Sequence, residues 1–105
     1  MSNQWHNDIF DMHSKYGLHG WIETHRGNPE LMKKFLEFRI NFLEEELNET
    51  RDAIRASDPE EIVDGLIDLC VVAIGTLDAF NIDSQKAWEE VHAANMAKEV
   101  GVKES

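Results

Sequence analysis

Residues 43–74 read LEEELNETRDAIRASDPEEIVDGLIDLCVVAI, and the break inside this stretch decides the fold. Asp58-Pro59-Glu60-Glu61 offers an N-cap side chain, a proline at the first helical position and an acid at the third, a helix start of the capping-box kind. Only a few residues around Ala56 and Ser57 remain to connect the helical patterns on either side, so these predict an antiparallel hairpin. In such a hairpin two residues share a height when their numbers sum to about 113, because each residue rises about 1.5 Å along either arm. Glu49 then faces Asp64 and Glu45 faces Asp68, with Glu46 within a residue of the same level.

Outward from the break, the first arm starts at Asn28-Pro29-Glu30, a cap followed by proline, and carries Leu31, Phe35, Phe38, Phe42, Leu43 and Leu47 at helical spacing to near Arg55. The second arm runs to about Phe80. Between Leu66 and Ile74 it is apolar on almost every side, with Asp68 as the exception. A helix that is apolar all round must be covered all round, which predicts that part of this girdle packs against a second subunit. A further helix is expected from about Asn7 to Tyr16, before a glycine-containing stretch at 17–27. Asp83 caps a last one bearing Ala87, Trp88, Val91, Ala94 and Met96, with Gly101 as its stop signal and a frayed tail beyond. The expected fold is therefore all-α: one domain over residues 1–105, a bundle of about four helices around the hairpin, with its core at about 28–99.

The chain has 105 residues, 42% of them hydrophobic, with 2 Pro and 6 Gly, which is globular rather than disordered composition. A domain of this size buries a modest fraction of its surface, so a homodimer or homotetramer is expected. Its net charge of 10 − 21 = −11 repels nucleic acid and anionic membrane surfaces and makes cations the natural ligands. Cys70 is the only cysteine, which excludes a disulfide or a cysteine zinc site within one chain and suits a reducing cytoplasm. The first residues lack a basic-then-apolar leader, and no segment approaches the roughly 18 apolar residues of a membrane span. A soluble, unprocessed, cytoplasmic protein is the expectation.

The chemistry lies in the acids. Glu45, Glu46 and Glu49 share adjoining parts of one helix surface through spacings of three and four, and Glu61, Asp64 and Asp68 repeat the device on the other arm. Two acidic sets meeting at matched heights repel unless a cation lies between them. Magnesium, with manganese as a substitute, prefers such oxygen ligands and is commonly held by carboxylates together with substrate phosphates. A carboxylate of the site can take a proton from an attacking water, and Glu45 and Glu46 are the candidates. For Glu44, Asp52, Glu60, Glu89 and Glu90 a plain solvated face is the better reading. Asp68, set among apolar neighbours, needs a ligand or a buried partner.

From Phe42 to Lys98 the chain resembles the MazG-like, all-α nucleoside triphosphate pyrophosphohydrolases, a superfamily that also contains the dimeric dUTPases and phosphoribosyl-ATP pyrophosphohydrolase. The segment 43–49 is similar to the family's E-E-x-x-E element, which implies metal-ligand roles for Glu45, Glu46 and Glu49. The segment 64–69 is similar to its E-x-x-D element, whose final acid is Asp68; Gly65 stands where the glutamate is usual, and Asp64 or Glu61 is then expected to take over. The segment 90–98 is similar to its V-H-x-x-N-x-x-K element, which implies substrate contacts by His92, Asn95 and Lys98. The resemblance implies magnesium-dependent hydrolysis of a nucleoside or deoxynucleoside triphosphate to the monophosphate and pyrophosphate, in pool cleansing or regulation. It also implies oligomers with composite sites.

Trp21 and Trp5 are candidates for stacking on a base, or alternatively a lid on the core. Glu89-x-x-His92 has the spacing of a di-iron ligand pair but occurs once, where such bundles need two copies and further glutamates. His6, His13, His19 and His25 form no i, i+4 pair, so surface or loop placement is expected. A non-enzymatic alternative is an acidic interaction protein that mimics nucleic acid; it would display its acids broadly rather than gather them.

Overall fold

The computed structural model describes residues 3–98, which form five helices and, among the described residues, no strand. They are α1 (Asn3–Lys15), α2 (Leu18–His25), α3 (Pro29–Arg55), α4 (Pro59–Ala79) and α5 (Ser84–Met96). The stop signal at Gly101 and the tail after it lie outside these residues.

Local chemistry sets the boundaries. The Asn28 carboxamide oxygen accepts from the Leu31 N–H at 3.0 Å, Asp58 from Glu61 at 3.2 Å and Asp83 from Lys86 at 3.0 Å, so α3, α4 and α5 each begin at the cap expected of them. Two of the helices end by turning left-handed: Ser57 (φ 53°) lets the Asp58 N–H reach the Ala53 carbonyl at 3.0 Å, and Asn81 (φ 57°) lets Ile82 reach Leu77 at 3.0 Å. These bonds satisfy carbonyls that the last turns of α3 and α4 would otherwise leave open.

The stretch 17–27 is not a loop, and the helix count is five rather than four. Gly17 takes φ 76° and redirects the chain, after which Leu18, Trp21, Ile22 and His25 recur at spacings of three and four. That face buries Ile22 against the rest of the molecule. The flanking glycines mark the ends of this helix and do not interrupt it.

The hairpin of α3 and α4 is the backbone of the molecule, and α1 lies along α4. The buried apolar side chains are few: Ile9, Ile22, Ala53, Val72, Ile74 and Ala79. Part of the girdle is bare on a single chain, Leu66 being 52% exposed and Ile67 45%, as is Val63 just before it. Helix α5 leaves the far end of α4 and packs chiefly on it, and from Trp88 to Lys98 every residue is exposed. No described helix is long and apolar enough to cross a membrane.

Candidate active site

The two arms of the hairpin approach closely where Thr50 faces Gly65. A Cβ placed on Gly65 would overlap the Thr50 hydroxyl and stand 3.1 Å from its Cβ. That contact is the physical reason for glycine at this position: nothing larger lets the helices approach so far. Thr50 is itself buried and turns its hydroxyl back to the Glu46 carbonyl at 2.8 Å. One turn toward the centre of the hairpin from this point, Glu46 on α3 and Asp68 on α4 come together.

Glu46, Glu49, Asp64 and Asp68 act on one another as a group. Loss of solvent raises the Glu46 carboxyl above its ordinary value, and the charges of Glu49, Asp68 and Asp64 raise it further, with a hydrogen bond to Asp68 in the same direction. Asp68 is raised likewise, by desolvation first and then by Asp64, whereas its bond to Glu46 pulls the other way. No basic group is among these influences. In addition, the Glu46 Oε2 atom is buried with no hydrogen-bond partner among the described residues. An orphaned carboxylate oxygen in a group made only of acids fits a positively charged ligand, and an all-oxygen donor set suits a hard divalent ion such as magnesium.

Glu46, rather than Glu45, thus takes the position opposite Asp68. Glu45 and Glu61 are exposed and are not among the groups that shift Glu46 or Asp68. Glu45 instead lines a shallow hollow of about 290 Å³ with Phe38, Asn41 and Phe42, one turn along α3. His92 and Asn95 lie on the exposed part of α5, and Lys98 is exposed just after its C-cap, Ala97. Trp21 packs against His25 and Phe35, with ring centroids 4.6 and 5.6 Å apart. Phe35 is eleven residues from Glu46, or about 16 Å along the helix. One chain therefore assembles the acids without bringing Trp21 to them, and His92, Asn95 and Lys98 are exposed.

A second polar cluster lies at the other end of α4. Asp78 is buried, and its Oδ2 stands 2.6 Å from His13 Nδ1 and 2.8 Å from His19 Nε2. Arg39 reaches the same region, its Nε donating to the Thr76 hydroxyl at 3.0 Å and an Nη to the Val72 carbonyl at 3.2 Å. Desolvation lowers the Arg39 pKa while the nearby Asp78 charge raises it. His13 and His19 are thus not surface or loop residues of the kind expected. Their signal was the company they keep: His13 follows Ile9 on the inner stripe of α1, and Asp78, like Asp68, is a lone acid among apolar neighbours.

Residues 19–95 match the family model described as phosphoribosyl-ATP pyrophosphohydrolase. The matched segment runs from α2 to the last turn of α5; it contains both acidic arms, His92 and Asn95, and stops short of Lys98. No curated protein and no solved structure matches the chain.

Proposed function

Since the chain belongs to the phosphoribosyl-ATP pyrophosphohydrolase family, whose members are hydrolases of an acid anhydride, we propose that it splits a nucleoside triphosphate into the monophosphate and pyrophosphate, with magnesium as cofactor. The substrate class is nucleoside and deoxynucleoside triphosphates, phosphoribosyl-ATP among them, and the role is to cleanse or regulate the nucleotide pool.

The observation that carries this reading is the orphaned Glu46 oxygen within a group of acids that has no basic counterpart. Glu46, Asp68, Glu49 and Asp64 are the side chains that would hold magnesium, Asp64 standing in for the glutamate that Gly65 replaces. When bound, the ion neutralises the triphosphate and orients it for in-line attack. Water then adds at a phosphorus of the α–β anhydride, the bridging P–O bond breaks, and pyrophosphate leaves. The proton released by the water passes to a carboxylate, Glu45 or Glu46; Glu45, exposed beside the cluster, is the one free to take it. Glu61 borders the site from the first turn of α4. Lys98 supplies positive charge to the phosphates, while His92, Asn95 and Trp21 contact the nucleoside.

Because α5 is uncovered and Trp21 is remote, these four residues reach an acidic cluster from another copy of the chain. The bare girdle of α4 and the Trp88–Val91 face of α5 favour a homodimer or homotetramer. The assay is pyrophosphate release over a panel of triphosphates that includes phosphoribosyl-ATP, with Glu46→Gln and Asp68→Asn beside the wild type. Loss of at least about a hundredfold in both variants, with helicity retained, is the expected result. Unchanged turnover in both would refute the proposal, and melting that responds to sodium chloride as strongly as to magnesium would favour the acidic mimic.

A further inference from the structure

The His13–His19–Asp78 cluster stands apart from the acidic site, since Asp78 and Asp68 are ten residues, or about 15 Å, apart along α4. Its three side chains come from three helices, His13 from α1, His19 from α2 and Asp78 from α4. One ligand atom from each lies within 4.8 Å of the other two, and no other group of histidine, cysteine or acid side chains among the described residues gathers three so closely. Both imidazoles aim a nitrogen at the same carboxylate oxygen.

The surroundings have the features of a ligand shell. The other nitrogen of His19 is 3.1 Å from the Ser14 hydroxyl, and the His19 ring lies on Phe10 with centroids 4.5 Å apart, so its orientation is fixed. Such outer contacts commonly set the direction of a metal-binding imidazole. His13 rests over Gly75, where a Cβ would stand 3.1 Å from ring Cε1 and 3.2 Å from Nε2. The cluster is closed on the His13 side, whereas His19 and Asp78 open onto a cleft of about 440 Å³ with Glu23, Arg26 and Asn81 on its walls.

The geometry points to a second metal site, in which His13, His19 and Asp78 bind one first-row transition ion of the zinc type and leave a coordination position open to the cleft. Two imidazoles and a carboxylate favour zinc or cobalt over magnesium. Bonds of about 2.0–2.2 Å to one ion require each nitrogen to move away from the Asp78 oxygen by about half an ångström or more from its hydrogen-bonded distance. The hydrogen that each imidazole directs at Asp78 would pass to the other ring nitrogen, so that the nitrogen facing the ion is free to coordinate. The ion would link α1 and α2 to α4, and the neighbouring Arg39 charge would moderate its affinity.

The test uses the full chain stripped with a chelator and then saturated with magnesium, with cobalt(II) as a spectroscopic probe and zinc for melting. One equivalent of cobalt should give visible d–d absorption of a site with nitrogen ligands, and zinc should raise the melting temperature. Both effects should persist in Glu46→Gln, which separates this site from the acidic one, and vanish in His19→Ala. The His19 ring is partly exposed, so its removal leaves the helices in place, as circular dichroism would check. X-ray absorption of the cobalt-loaded wild type should show two imidazoles per ion, a readout that needs no variant. Absence of a cobalt band and a zinc shift in the wild type, persistence of the band in His19→Ala, or coordination by oxygen alone would each overturn the assignment.

Discussion

Glu46 and Asp68 hold protons more tightly in the folded chain than in the unfolded one, because both are desolvated among other acids. A folded carboxyl with a raised pKa contributes stability below the ordinary carboxylate range. That contribution is lost as pH rises from about 4 through the raised value, because the unfolded chain releases its proton first. Magnesium held by these carboxylates would reverse the sign, since it would bind the ionised groups and stabilise the fold most where the protons are gone. The expected outcome is that metal-free wild type loses stability relative to Glu46→Gln across that window, whereas saturating magnesium restores it for wild type alone. Urea midpoints over a pH series, with and without magnesium, measure this; parallel curves for the two proteins would rule it out. Asp68 was legible in the sequence because a lone acid in an apolar run demands a partner. The choice of Glu46 over Glu45 was not, since it turns on a fraction of a helical turn that an estimate of the loop's midpoint cannot fix. Asp78 carried the same signal as Asp68, but its partners come from distant helices, and spacing rules that look within one helix do not see them.

At the scale of helices, the close approach of α3 and α4 rests on a pair of small residues. Gly65→Ala should destabilise the chain by roughly 1–3 kcal/mol, the usual cost of overpacking, because the new methyl meets the Thr50 hydroxyl. Adding Thr50→Ala should recover much of that loss, so the two substitutions are strongly non-additive in urea unfolding. Simple additivity would mean that the helices part without resistance. The same contact bears on the site: a glutamate at position 65 would have to push the arms apart to coordinate a metal, which supports Asp64 in that role. The hairpin itself was readable from Asn28-Pro29 and Asp58-Pro59, whose caps form as the chemistry requires. Helix α2 was not, because its eight residues give barely two turns of periodicity and glycines stand at both ends and inside it.

For the whole molecule, the question is what α5 leans on. A 13-residue helix is marginal in water without packing, yet α5 exposes Trp88, Val91 and Met96, the last by 72%. A second copy that covers this face would set its own acidic cluster against the exposed His92, Asn95 and Lys98. Val91→Asp should therefore shift sedimentation toward monomer and lower activity together. Complementation separates a composite site from mere association. Glu46→Gln and Lys98→Ala are each inactive in this reading, but if a site takes its acids from one chain and its lysine from another, mixed dimers hold one intact site and one doubly altered site. After equal mixing and subunit exchange, half the dimers are mixed, so pyrophosphate release should return to about a quarter of the wild-type rate. A site made within one chain stays silent on mixing, because every acidic cluster that keeps Glu46 has then lost its lysine, and every one that keeps the lysine has lost Glu46.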